Sequence, residues 1–518
     1  AILTLPTPGE SGSLANTKAI VVDGIPASVV SVSSTSDNGA YKIGDEVVIT
    51  VQFNEVVTVT GIPQLTLETG SNDGVASYSI GSGTNTLSFI YTVTVGHASS
   101  DLEYNSNTAL ALNNGVVQDL AGNNVNLTLP TVSETGSLAT NKALIIDGVY
   151  ATVDSVSAIT ANGYYKAGDT LGVTVHFDEN VNVTGTPQLV LETGSNDATV
   201  YYTSGTGTSI LTFQYIAGEG HLNTDLGYVN TSSLSLNNGL IRDIAGNDAT
   251  LTLAEPGVSG SLSANKTLVV DAISPSVVSV SSSELNGMYN IGDTLEITVN
   301  FSEVVAANIS NGSPQITLET GAENAVVDYS RGSGTNALIF DYIVVRDHTS
   351  EDLDYINTSA LSLNGSTISD LSGNSAVLTL PAPSASGSLS ANKNLIVDGI
   401  IPTVISSIST NLLDGTYKIG DTLGIAVNFS EIVAVTGMPQ LTMETGASDG
   451  IANYASGSEA STLIFNYIVA QGHFSDDLDY VSSSGLSLNN GTILDIAGNN
   501  ANLNLPVPGT ASSFSANK

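Results

Sequence analysis

One segment of about 125 residues is written four times along this chain, and within each copy the apolar residues alternate with period two. The loop QDLAGNN, Gln118 to Asn124, returns as RDIAGND from Arg242, SDLSGNS from Ser369 and LDIAGNN from Leu494. Its aspartates, Asp119, Asp243, Asp370 and Asp495, are 124, 127 and 125 residues apart. That period is too long for a solenoid unit and matches one whole domain per repeat. A second marker, VVDGIPASVVSVSS and its three relatives, places Asp23, Asp147, Asp271 and Asp398 at the starts of the copies. The expected domains are therefore 23–146, 147–270, 271–397 and 398–518. Residues 1–22 match the end of a copy, Asn126 to Ile146, and are expected to be the terminal strand of a preceding repeat or a donor strand.

The alternation defines the strands. After the turn YKIGD, Val47, Ile49, Val51 and Phe53 share one face. Leu171, Val173, Val175 and Phe177 repeat it, as do Leu295, Ile297, Val299, Phe301 and Leu423, Ile425, Val427, Phe429. A later strand carries Leu87, Phe89, Tyr91 and Val93. Gly, Asn and Ser clusters separate these segments, and no helical stripe is present. The pattern predicts an all-β chain of tandem immunoglobulin-like β-sandwich domains, each with seven to nine strands. The boundary loops around DGIP are about four residues long, too short for floppy tethers, so the domains are expected end to end as an extended rod.

Charge narrows the function. The chain has 49 Asp and Glu against 11 Lys and Arg, a formal charge of −38 over 518 residues. Phosphate backbones would be repelled, which argues against nucleic acid as a partner, and divalent cations are the natural counterions. There is no cysteine, so disulfides, zinc–thiolate sites and thiol nucleophiles are excluded. No apolar run is long enough to insert into a membrane. Motifs for a serine elbow, a zinc protease or a phosphate loop are absent, so no enzyme is expected.

The candidate chemistry is hard-oxygen ligation of Ca²⁺. Glu55, Glu179, Glu303 and Glu431 follow the core phenylalanines in FNE, FDE, FSE and FSE, with inward parity if the strand continues that far. An inward carboxylate needs pairing, hydrogen bonds or a metal; if the strand ends at the phenylalanine, the same residue is in a solvated loop. The repeated loop adds Asp119, Asp243, Asp370 and Asp495 with Asn123, Asn247, Asn374 and Asn499. As pure turn chemistry, Asp, Gly and Asn suit such a loop without any ligand. Further oxygens come from Asp23, Asp147, Asp271 and Asp398 at the boundaries, and from the DLxY aspartates Asp101, Asp225, Asp352 and Asp477. Loops at one end of a sandwich converge, so a Ca²⁺ site is expected at each domain or junction. His97, His221, His348 and His473 read as turn residues. The pair Asn141–Lys142 recurs at Asn265–Lys266, Asn392–Lys393 and Asn517–Lys518. It suggests either a salt bridge to a boundary carboxylate or a Lys–Asn isopeptide link catalysed by a buried glutamate such as Glu179.

The ordered motifs FSExVxVTGxPQLTLETG, YxSGSGTxxLxFxYxVxxGHxSxDLDY, LSLNNGTIxDIAGN and SANKxLIVDG resemble the SWM-type immunoglobulin-like repeats of very large bacterial surface proteins. The resemblance covers all four copies. It implies an extracellular, cell-surface array that serves as spacer, adhesive or coat material, with calcium dependence common among related adhesin repeats. The leading expectation is a non-enzymatic, calcium-stiffened structural or adhesive module whose partners are its own neighbouring repeats. The alternative is a self-assembling filament or sheath subunit that polymerises by β-strand exchange between its N-terminal strand and an incomplete last repeat. A carbohydrate-binding module is the weaker alternative, since tryptophan platforms are missing.

Overall fold

The computed structural model describes residues 4–406 and 414–516. The fourth Asn–Lys pair, Asn517–Lys518, and the first three residues of the N-terminal segment lie outside them. The chain forms two compact units, divided between Ala272 and Ile273. Each contains two hydrophobic cores. Those of the first unit run from Ala27 to Ile146 and from Ala151 to Val270. Those of the second run from Val280 to Val397 and from Leu423 to Phe514.

The first repeat shows how a core is built. A turn of helix, α1 (Leu14–Thr17), precedes β1 (Val29–Ser34), β2 (Gly39–Lys42), β3 (Glu46–Thr60), β4 (Gln64–Glu68), β5 (Gly74–Ile80) and β6 (Thr84–Thr92). Then follow β7 (Ala98–Ser99), β8 (Glu103–Tyr104), β9 (Leu110–Ala111), β10 (Val116–Asp119), α2 (Leu138–Asn141) and β11 (Leu144–Asp147). The larger sheet has the order β1-β3-β6-β5-β4-β8, with β10 beside β3 and β9 beside β4. A small sheet, β2-β11-β7, closes the core from the other side. The fold is all-β, as the alternation predicts. Val47, Ile49, Val51 and Phe53 of β3 and Leu87, Phe89 and Tyr91 of β6 are at most 1% exposed. The strand count exceeds the expected seven to nine because β7, β8 and β9 have two residues each, too few to show a period.

The long strand β3 does not stop at Phe53. It runs fifteen residues, and its pairing with β6 shifts register between Gln52 and Val57. This bulge lets one strand serve two neighbours: its first half pairs with β1 and β6, while Val57–Thr60 pair with β10. Glu55 sits inside the bulge with the parity of Phe53 and Val57, so its place in a solvated loop beyond the strand is ruled out.

Residues 4–22 contain α1, and none of them is in a strand in this chain alone. The same motif is a strand at Leu144–Asp147, where β2 and β7 pair with it on both sides; a strand needs such partners for its backbone groups. Among the described residues, Lys142, Lys266 and Lys393 donate to backbone carbonyls rather than to a boundary carboxylate or the preceding asparagine. Lys142 Nζ donates to the Ser36 carbonyl at 2.8 Å, Lys266 to Thr160 at 3.0 Å and Lys393 to Glu284 at 2.7 Å. The preceding asparagines donate to other carbonyls, Asn141 to Val32 and Asn265 to Val156. Both side chains satisfy carbonyl groups at the end of the first strand of the repeat.

Among the described residues, no helix is long and apolar enough to cross a membrane, which says nothing of β-barrels.

Candidate metal centre

Three sequence segments far apart in the chain supply one carboxylate each. Antiparallel pairing sets Asp119 opposite Val57, two residues beyond Glu55 in the bulge. In the second repeat Asp243 stands opposite Val181, two residues beyond Glu179. Asp147 and Asp398 arrive from the strands that close the preceding repeats, Leu144–Asp147 and Leu395–Asp398, whereas Asp23 lies in no strand. The resulting triads are Asp23–Glu55–Asp119, Asp147–Glu179–Asp243 and Asp398–Glu431–Asp495, each with one oxygen per residue mutually within 4.8 Å. In the third repeat, Glu303 and Asp370 approach within the same limit inside the second unit, while Asp271 belongs to the first. Among the described residues, no lysine or arginine pairs with a carboxylate of the three complete triads.

The repeated loop builds the wall of this site. Asp119 Oδ1 accepts from the amides of Ala121 (3.0 Å) and Asn123 (2.9 Å), and Oδ2 accepts from Asn123 Nδ2 at 2.8 Å. Gly122 has φ of +92°, a conformation that favours glycine, and Gly246 and Gly498 have +100° and +104°. Burial pushes the Asp119 carboxyl up, but these hydrogen bonds outweigh it and hold the group below its ordinary range.

The asparagine holds the loop to its aspartate. Asn247 Nδ2 reaches Asp243 Oδ2 (2.8 Å) and the Asp147 carbonyl (3.0 Å), and its Oδ1 accepts from the Ile43 amide of the first repeat at 2.9 Å. Asn499 does the same with Asp495, the Asp398 carbonyl and the Ile291 amide. Asn123 and Asn374 keep the bond to Asp119 and Asp370 at 2.8 Å. These asparagines act as hydrogen-bonding bolts, and in each unit one of them ties a repeat to its predecessor. The DLxY aspartates Asp101, Asp225, Asp352 and Asp477 are exposed and stand outside the triads.

Glu179 and Glu431 carry the electrostatic cost. Burial, then Asp147, Asp243 and Asp178, push Glu179 from an ordinary 4.5 up to about 7. Burial, then Asp398 and Asp495, push Glu431 to about 7 as well. Burial and the facing aspartates, Asp243 and Asp495, also raise Asp147 and Asp398, against one backbone hydrogen bond to each. Glu431 Oε1 is buried with no hydrogen-bond partner. An orphaned, buried carboxylate oxygen among like charges suits a hard cation. Oxygens that share one Ca²⁺ at 2.3–2.6 Å lie at most about 5 Å apart, which the 4.8 Å limit satisfies. These acidic triads could hold a metal ion, and their oxygen donors and spacing suit a hard cation such as Ca²⁺.

Sequence reasoning missed another carboxylate. Glu103, two residues after Asp101, is buried and accepts from the amides of Leu138 and Ala139, both at 3.2 Å, at the start of α2. Asp354 and Asp479 fill the same place and accept from Ser390 Oγ (2.6 Å) and Ser515 Oγ (2.7 Å). The signal was the second acid of DLEY and DLDY. The second repeat has Gly227 there, and a Cβ built on it meets nothing closer than Ser263 Oγ at 3.7 Å. Gly227→Asp is expected to stabilise the second repeat by about 1 kcal/mol, read from its denaturant midpoint. The repeated histidine is also structural: His97 Nδ1 lies 2.8 Å from Tyr91 Oη, and the rings stack at 5.9 Å.

No family model matches this chain, and no curated protein does. Among solved structures, the plexin A4 full extracellular region aligns with 91% of this chain and 48% of that one, at 7% identity and a TM-score of 0.17. The chain thus spans about half the length of that structure, and a likeness at this level carries no argument.

Proposed function

We propose that this protein is a non-enzymatic structural or adhesive module of the cell exterior, a rod of β-sandwich repeats stiffened by Ca²⁺ at the boundary carboxylates. The observation that supports this most is the triad in which the last strand of one repeat delivers Asp147 to Glu179 and Asp243 of the next. A cation there attracts all three groups and converts mutual repulsion into a clamp. It also fixes the boundary aspartate of one repeat on the loops of its successor, which limits bending. The SWM-like motifs and the acidic balance agree with a surface array.

The test is direct. Titration calorimetry of the metal-free protein with Ca²⁺ should give about one ion per triad, and X-ray scattering should show a stiffer particle with calcium than with EDTA. An absence of calcium binding at millimolar concentration would refute the metal reading.

A further inference from the structure

The second repeat differs from the other three on the outer face of its larger sheet. Cross-strand pairing sets five residues side by side there. Gly172 faces Gln214, Gln214 faces Tyr201, Tyr201 faces Gln188, and Gln188 faces Ser235. Each is next in sequence to a core residue: Leu171, Phe213, Val200, Leu189 and Leu234 are at most 4% exposed. The row therefore points away from the core. Tyr201 is 50% exposed. Neighbouring strands lie about 4.8 Å apart, which puts one glutamine close on either side of the tyrosine.

The same row exists in the other repeats with different chemistry. Ser77, Asp328 and Asn453 take the place of Tyr201. In the third and fourth repeats the glutamine beside that place is spent on it. Gln315 Nε2 donates to Asp328 Oδ1 and Gln440 Nε2 to Asn453 Oδ1, both at 2.9 Å. The ring of Tyr201 offers no oxygen at that position, and among the described residues no side-chain hydrogen bond ties down Gln188 or Gln214. In the third repeat the row is also charged, with Glu296 and Asp341 held by Arg331. In the second it carries no charge, and neither do Thr174, Thr212, Thr199 and Val190, two places along the same strands. Such a field gives neither a cation nor a phosphate a charged partner.

We propose that this row is a binding site for an uncharged pyranose unit of a glycan. A pyranose has a C–H face, which packs on an aromatic ring, and a rim of hydroxyls that both donate and accept hydrogen bonds. A primary amide answers such a rim because it too carries donors and an acceptor. Tyr201 is the platform, and Gln188 and Gln214 orient the sugar from its two sides. Ile159 lies over Gly172, where a Cβ would come within 2.6 Å of it, and walls the row beside Gln214. A tyrosine thus supplies the aromatic surface in a chain without tryptophan. The site goes beyond the metal reading and stands without it, because no carboxylate takes part.

Native affinity electrophoresis of the full chain, through gels that contain a soluble polysaccharide, tests the site. The probes are the neutral polymers dextran, β-glucan, galactomannan and xylan at several grams per litre, with anionic alginate as the contrast. At least one neutral polymer should retard the chain, equally with calcium and with EDTA, and alginate should not. Tyr201→Ser, which copies Ser77 of the first repeat, should weaken binding about tenfold or more, and Gln188→Ala and Gln214→Ala about threefold each. Tyr201→Phe should stay within about threefold of the parent, because the ring is the platform. These side chains stand outside the core, so each variant should keep the parent melting temperature, which separates lost binding from lost fold. No retardation by any neutral polymer, retardation that Tyr201→Ser leaves unchanged, or retardation by alginate as strong as by the neutral polymers would each overturn the proposal.

Discussion

Stripping calcium from the protein at pH 8 is expected to lower its melting temperature by about 10 °C, and to reverse the sign of its pH dependence. The size follows from mass action: a ligand at a hundred times its dissociation constant stabilises the folded state by about 2.7 kcal/mol, and each kcal/mol moves a domain of this size by about 4 °C. The sign follows from Glu179 and Glu431. Their folded values, about 7, lie above the ordinary 4.5. In metal-free protein the fold therefore favours the protonated acid. That contribution is present in full below about 4.5 and is lost as pH rises through about 7. Apo protein should thus melt lower at pH 8 than at pH 5, by about 1 kcal/mol per site after discounting for solvent screening of partly exposed groups. With calcium bound as proposed, the ionised carboxylates would be the ligands, and stability should instead rise over the same interval. Differential scanning calorimetry at both pH values, with calcium and with EDTA, checks both signs. Replacing Glu55, Glu179, Glu303 and Glu431 by Gln should flatten the apo curve, raise apo stability at pH 8 and remove the calcium response. A variant that keeps the full calcium shift would show that the ion binds elsewhere.

Asn247→Ala should be among the most damaging single substitutions in the protein, at about 2–4 kcal/mol. One amide side chain satisfies Asp243 Oδ2, the Asp147 carbonyl and the Ile43 amide. Truncation strands all three groups, and a buried polar group left unpaired costs about 1–3 kcal/mol. Asn123→Ala should cost less, because Asn123 is only partly buried and water can replace its bonds to Asp119 and the Asp23 carbonyl. Urea denaturation of the two variants gives the comparison. Limited proteolysis near residues 147–152 should speed up in Asn247→Ala alone, since only that variant loosens the tie between the first and second repeats. Equal losses in both variants would show that the bond to Ile43 contributes nothing.

How much could be read in advance depended on the range of the interactions involved. Alternation along Val47, Ile49, Val51 and Phe53 is local: each side chain's face follows from its neighbour two residues away, so the buried set was legible without coordinates. The D-[LI]-[AS]-G-N loop was legible as a turn for the same reason. Its aspartate closes onto its own backbone within four residues, and its glycine takes a positive φ. The metal candidates were only partly legible. Composition and spacing proposed twenty oxygen-bearing residues, with no means of choosing among the boundary, bulge, loop and DLxY positions.

The choice was made by tertiary pairing. The bulge between Gln52 and Val57 turns β3 toward β10, and that register places Glu55 beside Asp119 while leaving Asp101 in solvent. Likewise, AIVVD and ALIID are nearly the same sequence, yet one is exposed chain and the other a buried strand. By itself the sequence determined the repeat, the all-β alternation, the turn chemistry and the excess of acid, because these depend on residue type and near neighbours. Which carboxylates converge, what each asparagine bolts together and whether a strand-forming segment is a strand were decided by partners distant in sequence, whose positions only the folded chain supplies.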